Sequence, residues 1–406
     1  MADLVLFLHR HFRQRFKGSV IVLPWWGYVV VALGFTHITI AAVTIYLHRH
    51  SAHRAVDLHP IVSHFFRCWL WLTTGMETKQ WTAIHRKHHA RCETADDPHS
   101  PVVLGIEKVM WQGADLYKKE SKNAETLEKF GQGTPDDWME RNIYSTHSVV
   151  GIASMMIIDL ALFGFIGLTI WAVQMMWIPF FAAGIINGVG HYWGYRNFQA
   201  EDASRNIVPW GILIGGEELH NNHHAYPSSA QLSNKWWEFD IGWMYIRTME
   251  ILGLAHVKKI APKVLLADDK TQCDQDTLHA VIMSRYDVLT RYARSVKQTC
   301  AEEIAHLKAR AVRVDRSMVK RWLHSDEKKL SAVELERMKE VLSNSKTLHT
   351  VYSMRQELTT LWQRSTANKE QLVRQLEDWC HRAEASGIIA LRDFSLRLRR
   401  YQLAHA

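Results

Sequence analysis

Two long apolar stretches constrain the fold of this 406-residue chain more than any other feature of its sequence. Residues 20–47 and 149–189 carry few or no charges, and residues 60–76 form a shorter stretch of the same kind. A helix that crosses about 30 Å of hydrocarbon needs roughly 20 mainly apolar residues. We therefore expect one membrane-spanning helix in the first stretch and two in residues 149–189, joined by a turn near Gly167 or Trp171.

Short histidine clusters lie next to these apolar stretches. They contain nine histidines and one asparagine: His48 and His53; His85, His88 and His89; Asn187 and His191; His220, His223 and His224. Neutral imidazole is the commonest metal ligand in proteins. Residues i, i+3 and i+4 share one face of a helix, so each three-histidine cluster can aim its rings in one direction. The spacing of five between His48 and His53 requires a helix end or a local distortion.

The number and type of these ligands indicate two redox-active metal ions. Nine imidazoles exceed what one ion can bind, and a set built mainly of imidazole suits iron, zinc, copper or nickel rather than magnesium or calcium. Zinc has no redox chemistry, and its catalytic sites usually use three protein ligands. A site where apolar helices leave the membrane suits iron, which would activate dioxygen for attack on an unactivated C–H bond in a pocket that excludes water.

The clusters can share one site only if they lie on the same side of the membrane. If residues 60–76 crossed the bilayer, the first two clusters would face opposite sides, so we expect this helix in the interface or as a re-entrant element. Residues 1–19 alternate apolar with basic residues, and we expect them to lie in the membrane interface as well. One crossing before His48 would put the N-terminus on the far side, although Arg10, Arg13 and Lys17 argue against this by the positive-inside rule.

Charge and composition separate a membrane part from a charged extension. The net charge is +8, but the basic residues adjoin apolar stretches, so we interpret them as cytoplasmic loops facing anionic lipid and expect no nucleic-acid partner. Residues 270–406 are charged and carry apolar residues at helical spacing, which predicts a helical cytoplasmic extension. The five cysteines show no CxxC spacing, which is typical of a reducing compartment.

Residues 20–262 resemble the membrane-bound fatty acyl desaturases, in particular the bacterial members of the stearoyl-CoA desaturase-like delta-9 group. The family pattern is HxxxxH, HxxHH and HxxHH, with an additional Asn-xxx-His, and this chain matches all four. Neighbouring residues match too, including the segment from Glu93 to His99 and Gly216-Glu217-Glu218-Leu219 before the last cluster. One HxxHH motif is weak evidence, whereas the complete set in this order is specific.

The resemblance implies that the nine histidines hold two iron ions (Fe²⁺/Fe³⁺) and that Asn187 binds one of them through water. It also implies that Asp97, Glu217 and Asn206 orient imidazoles or nearby backbone. The family reaction takes dioxygen and two electrons and leaves a cis double bond, here expected at the delta-9 position, in a saturated acyl chain. No flavin or haem motif is present in the sequence, so the electrons are expected from an external carrier and a reductase.

Two departures from the family pattern concern the carrier of the acyl chain and the membrane crossings. The acyl-CoA members carry Arg-Asp just before the second cluster, where this chain has Ala83-Ile84, which favours a glycerolipid over acyl-CoA. The first membrane hairpin of the family is shortened to one span. Two alternatives stay open: a di-iron hydroxylase of alkanes, sterols or carotenoids, and a membrane carrier of metal or haem.

The sequence thus predicts an all-α integral protein of the cytoplasmic membrane. Transmembrane helices would be capped by a cytoplasmic helical domain that holds a histidine-rich di-iron site facing the cytoplasm, followed by the C-terminal helical extension.

Overall fold

The computed structural model describes residues 20–268, 270–323, 330–363 and 367–404, and it is mostly helical. The predicted interfacial segment 1–19 lies outside these residues. The described chain divides into two compact units. Unit 1 contains residues 20–196 and 202–261, and unit 2 contains residues 197–201 and 262–404.

Unit 1 consists of α-helices, π-helical segments and very short strands. Its α-helices are α1 (Trp25–Ala41), α2 (Pro60–Thr73), α3 (Thr78–Arg91), α4 (Pro101–Leu104), α5 (Ile106–Glu120), α6 (Ala124–Phe130), α7 (Ser148–Phe163), α8 (Phe165–Ile178), α9 (His220–Ala225) and α10 (Ile241–Ile251). The π-helical segments are π1 (Ala42–Ala52), π2 (Glu140–Tyr144) and π3 (Pro179–Val189). Strands β1 (Val56–Leu58) and β4 (Ala255–Val257) pair antiparallel, with Val56 opposite Val257, and β2 (Trp210–Gly211) and β3 (Phe239–Asp240) pair in parallel.

Helix α1 and segment π1 form one continuous helix of 28 residues that is long and apolar enough to cross a membrane. Pro24 precedes its first turn, where a missing N–H costs nothing. The exposed side chains of α1 are large and apolar, including Trp25, Val30 and Leu33, as expected of a helix that is apolar all round. This helix corresponds to the single crossing predicted in residues 20–47.

The predicted helical hairpin is present, but its turn lies earlier in the chain. Helix α7 ends at Phe163, and Gly164 adopts a φ of 64° before α8 begins. This left-handed conformation is accessible to glycine without a steric penalty, so the turn occurs here and not near Gly167 or Trp171. The second arm, Phe165–Val189, is long and apolar enough to cross a membrane, whereas α7 has 16 residues and is shorter than a typical span.

The short apolar stretch 60–76 forms α2, a 14-residue helix that packs on π1 and α7. At 1.5 Å per residue it is about 21 Å long, too short to cross about 30 Å of hydrocarbon without distortion. Its buried residues Phe66 and Leu70 join the core around π1, together with Ile178 and Ile246. Helices α1, α2, α3 and α10 all contact π1, the segment that carries the first histidine cluster.

Unit 2 is an antiparallel strand pair with a set of amphipathic helices. Its elements are β5 (Val264–Leu266), α11 (Gln275–Met283), α12 (Arg285–Ser295), α13 (Lys297–Ala309), α14 (Arg316–Trp322), α15 (Ala332–Ser343), α16 (Lys346–Thr360), α17 (Lys369–Ala385), α18 (Ile389–Arg399) and β6 (Tyr401–Leu403). Capping boxes begin α15 at Ser331 and α17 at Asn368. The apolar face of each helix enters one core that includes Met338, Leu358 and Trp379.

Candidate metal centre

Four segments of unit 1 bring the nine predicted histidines together. Segment π1 and the residue after it carry the first pair, α3 carries the second cluster, the turn after π3 carries His191, and α9 carries the last cluster. The distortion required for His48 and His53 is the π-helix itself. The backbone N–H of His53 donates to the carbonyl of His48 over 3.0 Å, and this i→i+5 closure places residues five apart above one another.

Five of the nine imidazoles form a first cage. Their donor nitrogens all lie within 4.8 Å of one another, and they belong to His48, His53, His85, His89 and His223. The Nε2 of His53 lies 2.8 Å from the Nε2 of His85. The Nε2 of His223 lies 3.0 Å from that of His48 and 2.8 Å from that of His89. Metal–imidazole bonds are about 2.0–2.1 Å long, so donors about 4 Å apart can share one ion.

The other four imidazoles form a second cage beside the first. Donor atoms of His88, His191 and His224 lie within 4.8 Å of one another, together with the thiol of Cys92. The Nε2 of His220 lies 3.0 Å from the Nε2 of His191. The nine histidines thus divide into groups of five and four, each of a size that suits one ion.

Three carboxylates determine which nitrogen of the facing rings carries a hydrogen. The Nδ1 atoms donate from His48 to Glu217 over 2.7 Å, from His88 to Asp97 over 2.9 Å and from His224 to Asp202 over 2.8 Å. A neutral imidazole that donates through Nδ1 has only a lone pair at Nε2.

The lone pair of His48 points at another imidazole nitrogen, the Nε2 of His223. The Nε2 of His223 faces the Nε2 atoms of His48 and His89, and it can donate to only one of them. The Nε2 of His224 is buried and has no hydrogen-bond partner among the described residues. Such a set repels itself unless cations lie between the nitrogens, so the residues present fit metal ions.

Burial keeps six of the nine rings neutral. It lowers the pKa well below the ordinary value for His53, His85, His89, His220 and His223, and it lowers the pKa of His191 to about 4. Neutral imidazole is the form that binds metals. Burial opposes ionisation of Asp97, Asp202 and Glu217, but their imidazole partners outweigh it and hold each pKa below its ordinary value.

The remaining residues predicted from the sequence take different positions. Asn206 hydrogen-bonds to Asn222: its Oδ1 accepts from the backbone N–H of Asn222 over 3.1 Å, and its Nδ2 donates to the Asn222 side chain. It therefore positions helix α9 and not an individual ring. Asn187 is half-buried and lines a cavity together with His220.

Three side chains of the site were missed by the sequence analysis as supports or ligands. Asp202 orients His224, and Glu93 lies 3.6 Å from Nδ1 of His191. Glu93 also accepts from the backbone N–H of Ala203, and its own φ is 61°. Cys92 follows His88 by four residues, at the C-cap of α3, a spacing that could have identified it. Asp202 and Glu93 lie in irregular segments, where no periodic pattern signals which ring they contact.

A cavity of about 390 Å³ adjoins both cages, a volume within the range of small-molecule sites. Its walls are mainly apolar and come chiefly from α1, π1, α3, α5, α7, α8 and π3, with Ile40, Val43, Ile152, Met175, Ile178 and Ala182 among the lining residues. His48, His85, His99 and His220 also line it. The indole of Trp81, another lining residue, stacks on the ring of His85 at 4.8 Å.

Two helices long enough and apolar enough to cross a membrane, and a double histidine cage beside an apolar cavity, define a class of site that suits metal ions next to a lipid-like molecule. The chain belongs to the fatty acid desaturase family, because the sequence profile described as "Fatty acid desaturase" matches residues 23–248. The resemblance drawn from the histidine motifs is thereby confirmed.

Several curated relatives are similar to this chain over the same region. "Delta-9 acyl-lipid desaturase 1" of Arabidopsis thaliana is 30% identical over 57% of this chain and 74% of its own length. "sn-1 stearoyl-lipid 9-desaturase" of Anabaena variabilis is 28% identical over 59% of this chain and 86% of its own length. "Acyl-CoA C20 Delta5-desaturase" of Anemone leveillei is 30% identical over 54% and 70%, respectively.

These relationships establish the type of reaction. The protein is an oxidoreductase of lipid metabolism that desaturates fatty acyl chains. A hydroxylase of alkanes, sterols or carotenoids is not favoured.

A second profile, described as "Transposase", matches residues 278–404. This region lies in unit 2, where the described residues contain β5 and β6 as the only strands and no group of three carboxylates close enough to share an ion. The match covers a minor part of the chain, and no function for the helical extension follows from it.

Proposed function

We propose that this chain is a membrane-integral di-iron desaturase that introduces a cis double bond, at the delta-9 position, into a saturated fatty acyl chain. The observation that supports this most directly is the pair of facing imidazole cages that open onto an apolar cavity. The catalytic centre would face the cytoplasm, and the electrons would come from an external carrier and its reductase.

Two iron ions are the proposed occupants of the cages. His48, His53, His85, His89 and His223 would hold one ion, and His88, His191, His220 and His224 would hold the other, with Asn187 near the second through water. When bound, the irons supply the redox chemistry by which dioxygen and two electrons remove two neighbouring hydrogens from the acyl chain. Glu217, Asp97 and Asp202 keep Nδ1 protonated on their rings, so that each Nε2 lone pair is available to an ion.

The cavity would hold the acyl chain in place and keep water away from it. Its apolar side chains would contact the acyl chain and exclude water from the reacting carbons. An acyl chain that binds in one position presents one pair of its carbons to the cages. The way the acyl chain binds therefore determines where the double bond forms. The stacked ring of Trp81 stiffens His85 at the border between the cavity and the first cage.

Relatives support the assignment of the double-bond position and the carrier. Two of them are named as position-9 desaturases of acyl lipids, and one as an acyl-CoA desaturase. Together with the missing Arg-Asp before His85, this favours an acyl chain esterified in a glycerolipid over acyl-CoA.

The experiment is expression in a host that lacks its own desaturase, followed by lipid profiling with positional assignment of the double bond. Unsaturated chains with the double bond at carbon 9 are expected from the wild type and from His256→Ala, a control at an exposed histidine of β4. His223→Ala should abolish them. An acyl product that gains oxygen would instead indicate a hydroxylase, and a wild type that yields no altered acyl chain would favour a non-enzymatic metal or haem carrier. Unsaturated chains at the wild-type level in His223→Ala would contradict the proposed site.

A second experiment distinguishes the carriers. Purified protein in lipid vesicles, given a reductase system, is offered saturated phospholipid in one reaction and saturated acyl-CoA in another. Conversion of the phospholipid alone is the expected result. Conversion of acyl-CoA alone would overturn the glycerolipid assignment while leaving desaturation intact.

A further inference from the structure

Two buried cysteines of unit 2 face each other. Cys273 lies between β5 and α11, and Cys380 lies on α17, 107 positions later in the chain. Their sulfur atoms are 3.8 Å apart, and the two residues are 9% and 0% exposed. A disulfide needs a sulfur–sulfur distance of about 2.05 Å, so a shift of about 2 Å would join them. Rotation of the two side chains, with a small backbone adjustment, supplies most of a shift of this size.

The contacts around the pair hold both backbones in place. The backbone N–H of Cys273 donates to Oε2 of Glu377 over 2.7 Å, and Glu377 lies three residues before Cys380 on the same helix. Arg399, buried on α18, forms ion pairs with Glu377 and Glu384. These noncovalent contacts hold the segment around Cys273 against α17 and keep the two thiols close together.

The groups around the two sulfurs shift the pKa values of both thiols. The hydrogen bond with the Cys273 thiol lowers the pKa of Cys380, and the Ser395 hydroxyl and the Arg399 charge act in the same direction. The hydrogen bond with Cys380 and burial raise the pKa of Cys273. In thiol–disulfide chemistry one sulfur attacks the oxidised sulfur of its partner, and these two sulfurs lie close enough for that step.

We propose that Cys273 and Cys380 are a site of reversible oxidation, which forms a disulfide when the protein meets a peroxide. One thiol reacts with hydrogen peroxide to give a sulfenic acid and one water, and the other sulfur then displaces a second water as the S–S bond forms. Overall, two S–H bonds and the O–O bond break, both sulfurs are oxidised, and the peroxide is reduced to two waters.

The disulfide would change the stability of unit 2. It would close a covalent loop that contains α11 to α16, which restricts the unfolded chain and stabilises the folded unit. In a reducing compartment the pair rests as two thiols, and a cellular dithiol reverses the bond. This inference concerns unit 2 alone and does not depend on the proposed iron chemistry.

The test uses the full-length protein in detergent, treated with hydrogen peroxide, denatured in the presence of an alkylating reagent and digested without reductant. Mass spectrometry should find one cross-linked peptide pair containing Cys273 and Cys380, with a mass loss of about 2 Da that dithiothreitol reverses. The thermal midpoint of the oxidised protein should rise by roughly 10 °C, and the rise should vanish with the reductant.

Variants sharpen the test. Cys273→Ala and Cys380→Ala should each abolish the cross-link, whereas Cys300→Ala, at a buried cysteine of the same core, should retain it. The cross-link is mapped in the wild-type protein, so that measurement does not depend on whether any variant folds. Recovery of Cys273 and Cys380 as separate alkylated or sulfinic-acid peptides, while the exposed Cys68 is oxidised, would overturn the proposal.

Discussion

Glu217→Gln tests whether a carboxylate outside the cage sets the affinity of the first ion. Oε1 of Glu217 accepts from His48 over 2.7 Å and from the Thr44 hydroxyl over 2.6 Å, and the Glu217 side chain is 12% exposed. Glutamine has the same shape, but its amide is neutral, and its nitrogen would favour the tautomer of His48 with hydrogen on Nε2. That hydrogen would then occupy the position from which the lone pair binds the ion.

The expected loss of iron affinity follows from the strength of the hydrogen bond between His48 and Glu217. A hydrogen bond to a charged group contributes about 1.5–3 kcal/mol, and a neutral one about half of that. Loss of the charge should therefore cost about 1–1.5 kcal/mol, which is about a tenfold loss of iron affinity in the first cage. Glu217→Ala, which removes the acceptor entirely, should approach the roughly 100-fold loss seen when partners of metal-bound histidines are removed.

The assay is anaerobic titration of metal-free protein with Fe²⁺ against a chelator of known affinity. Glu218→Gln is the matched control, because Glu218 is equally close in sequence and buried but accepts from the backbone N–H groups of Ile214 and Gly216. Its iron affinity should stay within about twofold of wild type. Equal losses of iron affinity in folded Glu217→Gln and Glu218→Gln would refute the reasoning, and so would wild-type iron affinity in Glu217→Gln.

Four further predictions concern the other cage, the fold, the cavity and pH. Asp202→Asn should weaken only the second ion, by about tenfold, measured as loss of one of two bound irons. Asp240→Asn leaves the buried Arg49 guanidinium without its bidentate partner, so the protein should lose about 3–5 kcal/mol of stability in denaturant unfolding. Ala182→Phe narrows the cavity and should shift the products toward shorter acyl chains. Because burial lowers the pKa of His191 from 6.5 to about 4, the unfolded chain binds more protons between these pH values. The metal-free protein should therefore lose stability as the pH falls through this window, as checked by unfolding at pH 7 and pH 5.

The sequence predicted those parts of the site that depend on local spacing. The i, i+3, i+4 pattern placed His85, His88 and His89 on one face of α3, and the structure has them there. The spacing of His48 and His53 signalled a distortion but could not specify a π-helix, because the i→i+5 hydrogen bonds depend on packing around that helix. The spacing of apolar residues such as Met338 and Leu358 likewise predicted the helical extension.

The features that sequence could not supply depend on tertiary contacts. Asp202 contacts His224, which lies 22 positions later in the sequence, and Glu93 lies near His191. The backbone of Glu93 itself has a positive φ. Neither contact follows from a periodic pattern. The turn at Gly164 could have been placed by its glycine, but Gly167 lies three residues later and offered the same local signal. The choice depends on how α7 and α8 pack, since Gly167 fits tightly against the backbone of Asp159.

The most direct test of the central claim is X-ray diffraction from crystals of purified, active protein, with anomalous data on both sides of the iron absorption edge. We predict two iron peaks per chain, one among His48, His53, His85, His89 and His223, and one among His88, His191, His220 and His224. A single peak, or ions whose signal does not change across the iron edge, would contradict the account.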